Sequence, residues 1–221
     1  MATLAQLRER VRQRADMVNS LFVSDSELNQ YISDSYTELY DLLVLKFEDY
    51  YLEEYTASVA SGASSIDLPT NFYKLRAVDF AEGDNSWTTL RPFNFMDRNN
   101  ENVARGYYGS NYPRYRVMGN KLLLSPTECA PGNYKLWIVP RATALTTDAS
   151  TVDGVNGWDD YIVVDAAIKC LQKEESDVSV LMVLKGDLKN RIQAAAAERD
   201  VGYPDRITDV YNQFGLTSRW R

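Results

Sequence analysis

Apolar residues in the first part of the chain recur at helical spacing in two separate runs. Leu4, Leu7, Val11 and Ala15 fall on one stripe, and Leu28, Tyr31, Ile32, Ser35, Leu39, Leu42 and Leu43 fall on a second. This is the i, i+3, i+4 recurrence of amphipathic helices. Thr3-x-x-Gln6 and Ser24-x-x-Glu27 both fit the capping box, in which a hydroxyl and a long polar side chain satisfy free N–H groups of the first turn. Val23 and Leu28 are spaced for a hydrophobic staple beside the second box. The pattern predicts a short basic helix over about 3–15, a loop of about eight residues, and a long acidic helix from Ser24 that runs on through Phe47 and Tyr50. Lys46 falls on the apolar stripe, which asks for a bend or an acidic partner.

Between about 55 and 145 helical periodicity gives way to alternation. Tyr55, Ala57, Val59 and Ser61 alternate, Gly62 to Ser65 breaks the run, and Ile66-Asp67-Leu68 resumes it. Lys74 to Phe80 and Ser86 to Leu90 read as paired strands around a turn at Glu82 to Asn85. Tyr115 to Met118 and Lys121 to Leu124 flank Gly119-Asn120, the clearest hairpin, since a two-residue turn demands positive φ. Tyr134 to Val139, stopped by Pro140, is expected in the same sheet. Residues 93–113 keep no period and read as a long loop rich in Asn, Tyr and Gly, adaptable contact chemistry for a partner.

Helix returns at Trp158. Through Leu171 the chain is apolar almost all round (Tyr161, Ile162, Val163, Val164, Ala166, Ala167, Ile168), as expected of a buried centre. A last helix restarts at Ser176-Asp177 with the stripe Leu181, Leu184, Leu188, Ile192, Ala195, and Gly202 and Pro204 end it. The fold class expected is α+β: a four-helix bundle built from N- and C-terminal helical pairs, with an inserted antiparallel β subdomain. The divisions are 1–54 and 146–202 for the two helical halves, 55–145 for the β insertion, and 203–221 for a C-terminal arm. That arm is poor in core residues but carries Tyr203, Tyr211, Phe214 and Trp220 and ends Ser218-Arg219-Trp220-Arg221. It is a strap across its own bundle, or an arm ordering on another protein through aromatic and Arg anchors.

Composition removes whole classes of chemistry. The 221 residues contain no histidine, so Ser-His-Asp and Cys-His triads and Cys/His zinc fingers are absent. The glycines fit neither a Walker loop nor a dinucleotide fingerprint, and no cofactor motif is present. Cys129 and Cys170 lie in different predicted elements and read as isolated thiols. With 45% hydrophobic and 25% charged residues, no long apolar run and no secretion-type N-terminus, the expectation is folding in a cytoplasm, with no membrane partner.

Net charge is −7, which disfavours a grip on DNA phosphates. Its distribution is uneven. Residues 1–14 hold Arg8, Arg10, Arg12 and Arg14 against Glu9, whereas 24–54 hold nine acids against Lys46. Such asymmetry suits acidic and basic faces that meet, within a chain or between neighbours. Arg8, Arg12 and Arg14 border the apolar stripe of the first helix and Arg10 lies opposite; they read as snorkelling side chains, or two or three of them as partners of carboxylates on an adjacent subunit, and both can hold together.

The run Leu4-x-x-Leu7-Arg8-x-Arg10-Val11-Arg12-x-Arg14, then Phe22-Val23-Ser24-Asp25-Ser26-Glu27-Leu28-Asn29-x-Tyr31-Ile32, then Tyr36-x-Glu38-Leu39-Tyr40 resembles the opening of head-to-tail adaptor (connector) proteins of tailed bacteriophages, podovirus-like. Asn71-Phe72, Tyr115-Arg116-Val117, Leu122 to Pro126 and Trp158 to Ile162 extend the resemblance. It implies a structural virion protein, assembled in the host cytoplasm, that forms a ring of twelve copies below the portal and joins it to the tail. DNA passes through the channel without specific binding. The implied partners are copies of itself, the portal protein and a tail or nozzle protein. The sites that go with this reading are Tyr211, Phe214, Arg219, Trp220 and Arg221 toward the portal, Arg8, Arg10, Arg12 and Arg14 between subunits, and Tyr107, Tyr108, Asn111 and Tyr112 on the tail side. The alternative is a tail-associated, carboxylate-dependent peptidoglycan hydrolase, although no acid pair stands out for it, since Glu53-Glu54, Asp159-Asp160 and Glu174-Glu175 sit near helix ends where solvation is expected. A minor tail or scaffold protein of the same type, without portal contact, reads alike.

Overall fold

A computed structural model describes residues 2–47, 49–83, 86–97, 112–152 and 157–198. Helices α1 (Leu4–Arg14) and α2 (Asp25–Lys46) lead into strands β1 (Glu53–Val59), β2 (Ser65–Asp67), β3 (Phe72–Gly83), β4 (Ser86–Thr89), β5 (Arg114–Met118), β6 (Lys121–Ser125) and β7 (Gly132–Pro140). Helices α3 (Asp159–Lys173) and α4 (Ser179–Ala197) follow.

Local chemistry accounts for the helix ends. Thr3 and Gln6 form the full reciprocal capping box. At α2 only half of the second box is made: Ser24 accepts from the Glu27 N–H, while the Glu27 carboxylate turns to Tyr31 and Lys173. Val23 and Leu28 are both buried in one core. The predicted run of α2 through Phe47 and Tyr50 is corrected, because the helix ends at Lys46 and Phe47 is already extended. Lys46 is therefore a terminal, exposed residue, and a cation there suits the negative end of the helix dipole.

The α+β class holds, but the four-helix bundle of N- and C-terminal pairs does not. Helix α3 is the shared centre: α1, α2 and α4 each pack on it, α1 and α2 each more heavily than on one another, whereas α1 and α4 do not pack together. Helices α1 and α4 both also touch α2. Two helices that each pack on the same adjacent pair, with at most a marginal contact between them, occupy opposite grooves of that pair. The cross-section is thus a rhombus, with α2 and α3 on the short diagonal and α1 and α4 at the far corners. The physical reason is the composition of α3, whose Tyr161, Ile162, Val163, Val164, Ala166, Ala167, Ile168 and Cys170 are all buried and demand neighbours on every side.

The β region holds two sheets rather than one. One is antiparallel in the order β1-β7-β3-β4, the other in the order β2-β6-β5. The hairpin at Gly119-Asn120 is present, with Gly119 at φ 60°. The placement of Tyr134 to Val139 in the hairpin's sheet is corrected, since β7 lies at the centre of the other one. Its alternation explains why. Tyr134, Leu136 and Ile138 point into a core shared with Ile66, Leu122 and Leu124 of the second sheet. Val139 faces the other way and packs with Tyr40 and Val44 of α2. One face of β7 is thus wholly buried, and Val139 buries part of the other against α2. Tyr40 Oη donates to the Pro140 carbonyl at 2.6 Å, tying helices to sheet.

Candidate interaction surfaces

Three of the four N-terminal arginines find carboxylates in their own chain. Arg8 lies 2.6 Å from Asp148 and 3.6 Å from Asp25. Arg10 spans Asp159 and Asp160 at the start of α3. Arg12 donates to the Ser20 and Val23 carbonyls at 2.9 and 3.0 Å and to Asp25 at 2.9 Å, so one guanidinium organises the whole α1–α2 loop. Its hydrogen bond, with Arg8 nearby, holds the Asp25 carboxyl below its ordinary value against the effect of burial. Arg14 is exposed and meets no carboxylate among the described residues. The charges of Arg8, Arg10 and Arg12 are thus met within the chain.

A polar network that sequence reasoning missed lies between α2, α3 and α4. Asp165, 3% exposed, sits 2.8 Å from Lys169, 2.7 Å from Lys185 and 2.6 Å from the Ser35 hydroxyl. Lys185 reaches on to Glu38 at 3.0 Å, and Tyr161 Oη donates to the same carboxylate at 2.7 Å. Burial works against the charge on Asp165, but hydrogen bonds from Lys169, Lys185 and Ser35 outweigh it and hold the carboxyl below its ordinary value. Lys185 is likewise opposed by burial and raised overall by Asp165 and Glu38. The signal was available: Ser35 on an apolar stripe and an acid inside a nearly all-apolar helix each require a buried partner.

At the junction of helices and sheet, Tyr36, Tyr40, Tyr50 and Tyr51 line a cleft of about 490 Å³ with Glu53, Pro140 and Arg141. The Tyr40 and Tyr51 rings stack at 4.2 Å, and Tyr50 leans on Trp158 at 6.2 Å. These tyrosines are the packing between the layers.

The acidic pairs expected near helix ends are engaged or solvated. Asp159 and Asp160 hold Arg10, Glu54 pairs with Lys135 at 3.2 Å, and Glu53, Glu174 and Glu175 are exposed. Carboxyls with a clear shift, Asp25, Glu27, Asp165 and Asp177, all move down, opposite to the raised acid that glycoside cleavage needs. Among the described residues no group of three or more Cys, Asp and Glu is placed to hold a metal, and no helix is long and apolar enough to cross a membrane. Cys129 and Cys170 are free thiols, and burial pushes Cys170 up to about 11.

Of the expected tail-side loop, Tyr107, Tyr108 and Asn111 lie outside the described residues. Tyr112 packs edge-on against Phe80 at 6.2 Å, beside the sheet core. The portal-side set, Tyr211, Phe214, Arg219, Trp220 and Arg221, also lies outside them. Exposed large apolar residues gather elsewhere: Val18, Leu21 and Phe22 in the α1–α2 loop, and Val180, Met182 and Val183 at the start of α4. No curated protein matches this chain. A family model described as SU10 adaptor protein matches residues 2–210, nearly the whole sequence, in keeping with the adaptor-like motifs of its first forty residues. The chain therefore belongs to the SU10 adaptor protein family and is a phage adaptor protein.

Proposed function

We propose that this protein is a virion subunit that closes into a ring beneath the portal, joins it to the tail and leaves a channel for DNA. The observation that carries the reading is the family match across residues 2–210. A helical layer with two free flanks supports it, because a ring needs one flank of each copy to fit the other flank of the next. The charge of −7 suits a passage through which DNA slides, since dense neutralising contacts would hold the phosphates. Twelve copies are expected, to match the portal. In this scheme Tyr211, Phe214, Arg219, Trp220 and Arg221 dock on the portal, and Tyr107, Tyr108, Asn111 and Tyr112 face the tail component. The protein acts by assembly and carries no catalysis of its own.

The test is to mix purified protein with its portal and image the mixture by electron microscopy. Rings seated on the portal are expected. Particles that remain monomeric, indifferent to portal, overturn the reading.

A further inference from the structure

We infer that the ring contact is made by the exposed face of α4 in one copy against the C-terminal end of α1 and the following loop in the next, with Asp187 meeting Arg14. This rests on the ring reading above and names the surfaces that would close it. The rhombic cross-section places α1 and α4 on opposite flanks, the relation a head-to-tail contact between identical copies requires. Each flank leaves apolar surface uncovered. On α4, Val180 is 77% and Val183 68% exposed; beside α1, Val18 is 58% and Leu21 94% exposed.

Charge complementarity follows the same line. Asp187 lies one turn beyond Val183 on the outer face of α4, is exposed, and has no ion pair among the described residues. Arg14, the last residue of α1, is equally exposed and equally unmet. An open groove of about 480 Å³ beside Arg14, lined by Arg10, Gln13, Asp160 and Val163, receives the ridge. Along that ridge Gly186 and Ala194 are small enough for close approach.

Direction and height agree as well. Lys173 at the end of α3 bonds Glu27 at the start of α2 and the Phe22 carbonyl, so the end of α1, the start of α2, the end of α3 and the start of α4 share one end of the layer. Helices α1 and α4 thus run antiparallel from that end. A rotation about an axis along the helices, without translation, brings the start of α4 in one copy to the height of the end of α1 in the next. Rotation without translation closes a ring instead of growing a filament.

The experiment is a charge swap on the full chain, scored by ring formation with the portal. Arg14→Glu and Asp187→Arg singly are expected to lower the ring fraction at least tenfold, and the double variant to restore it. Circular dichroism and melting unchanged from the parent show that each variant is folded. A second variant, Val183→Glu, adds a buried charge to the same contact and is expected to abolish rings. If the parent forms rings and all three single variants form them equally well, the assignment of these faces is wrong while the ring stands. If the parent itself forms none, the ring reading fails first.

Discussion

Asp165 is the residue on which the helical layer turns. Removing one member of a buried charge cluster leaves the others uncompensated, at a cost of roughly 3–5 kcal/mol. Asp165→Asn is expected to destabilise the fold by about 3 kcal/mol in urea titration, with Lys169 then lacking a counter-charge and Lys185 left with Glu38 alone. The sign of the pH dependence follows. A carboxyl held below its ordinary value of 3.8 stabilises fully above that value, and the benefit is lost as pH falls through the folded value. Lys185, raised above 10.5, stabilises fully below that value and fails only as pH rises through the folded one. Stability is thus flat from about pH 5 to 10 and falls on both sides; in Asp165→Asn the acid limb becomes shallower, as unfolding against pH reads directly.

At the scale of elements, the helices were legible and their partners were not. Local rules wrote the ends of α1 and α2: the hydroxyl caps at Thr3 and Ser24 are where the sequence puts them. The last helix was read with Ala195 inward, whereas Ala196 is buried with Leu188 and Ile192 and Ala195 is exposed. That one-residue error is invisible to pattern reading inside the run Ala194 to Ala197. The all-apolar character of α3 announced a centre, but nothing local says that α1 and α4 lie on opposite sides of it. Strand identity was plain in β7 for the same local reasons, yet its sheet depended on long-range pairing with β1 and β3. Tyr40 joins the layers through its hydroxyl and the Pro140 carbonyl. Tyr40→Phe is expected to cost about 1–2 kcal/mol and to show in thermal melts of the full chain.

For the whole molecule, the arginine-rich start was the plainest candidate site in the sequence, and folding accounts for most of it. Arg8, Arg10 and Arg12 stitch the first helix to Asp25, Asp148 and the Asp159-Asp160 pair, leaving Arg14 to look outward. Composition tells that basic and acidic segments will meet, but only the fold decides which meet inside one chain. The exposed valines of α4 were equally unreadable, since a valine on a helix says nothing of which side its neighbours will cover. The central claim is that copies close on the portal, anchored by the C-terminal arm. Native mass spectrometry of portal mixed with excess protein tests it most directly. The full chain is expected to add twelve subunits per portal ring, and a chain lacking residues 203–221, with an unchanged melt, is expected to add none. Saturation at one or two copies, or equal binding by the shortened chain, contradicts the account.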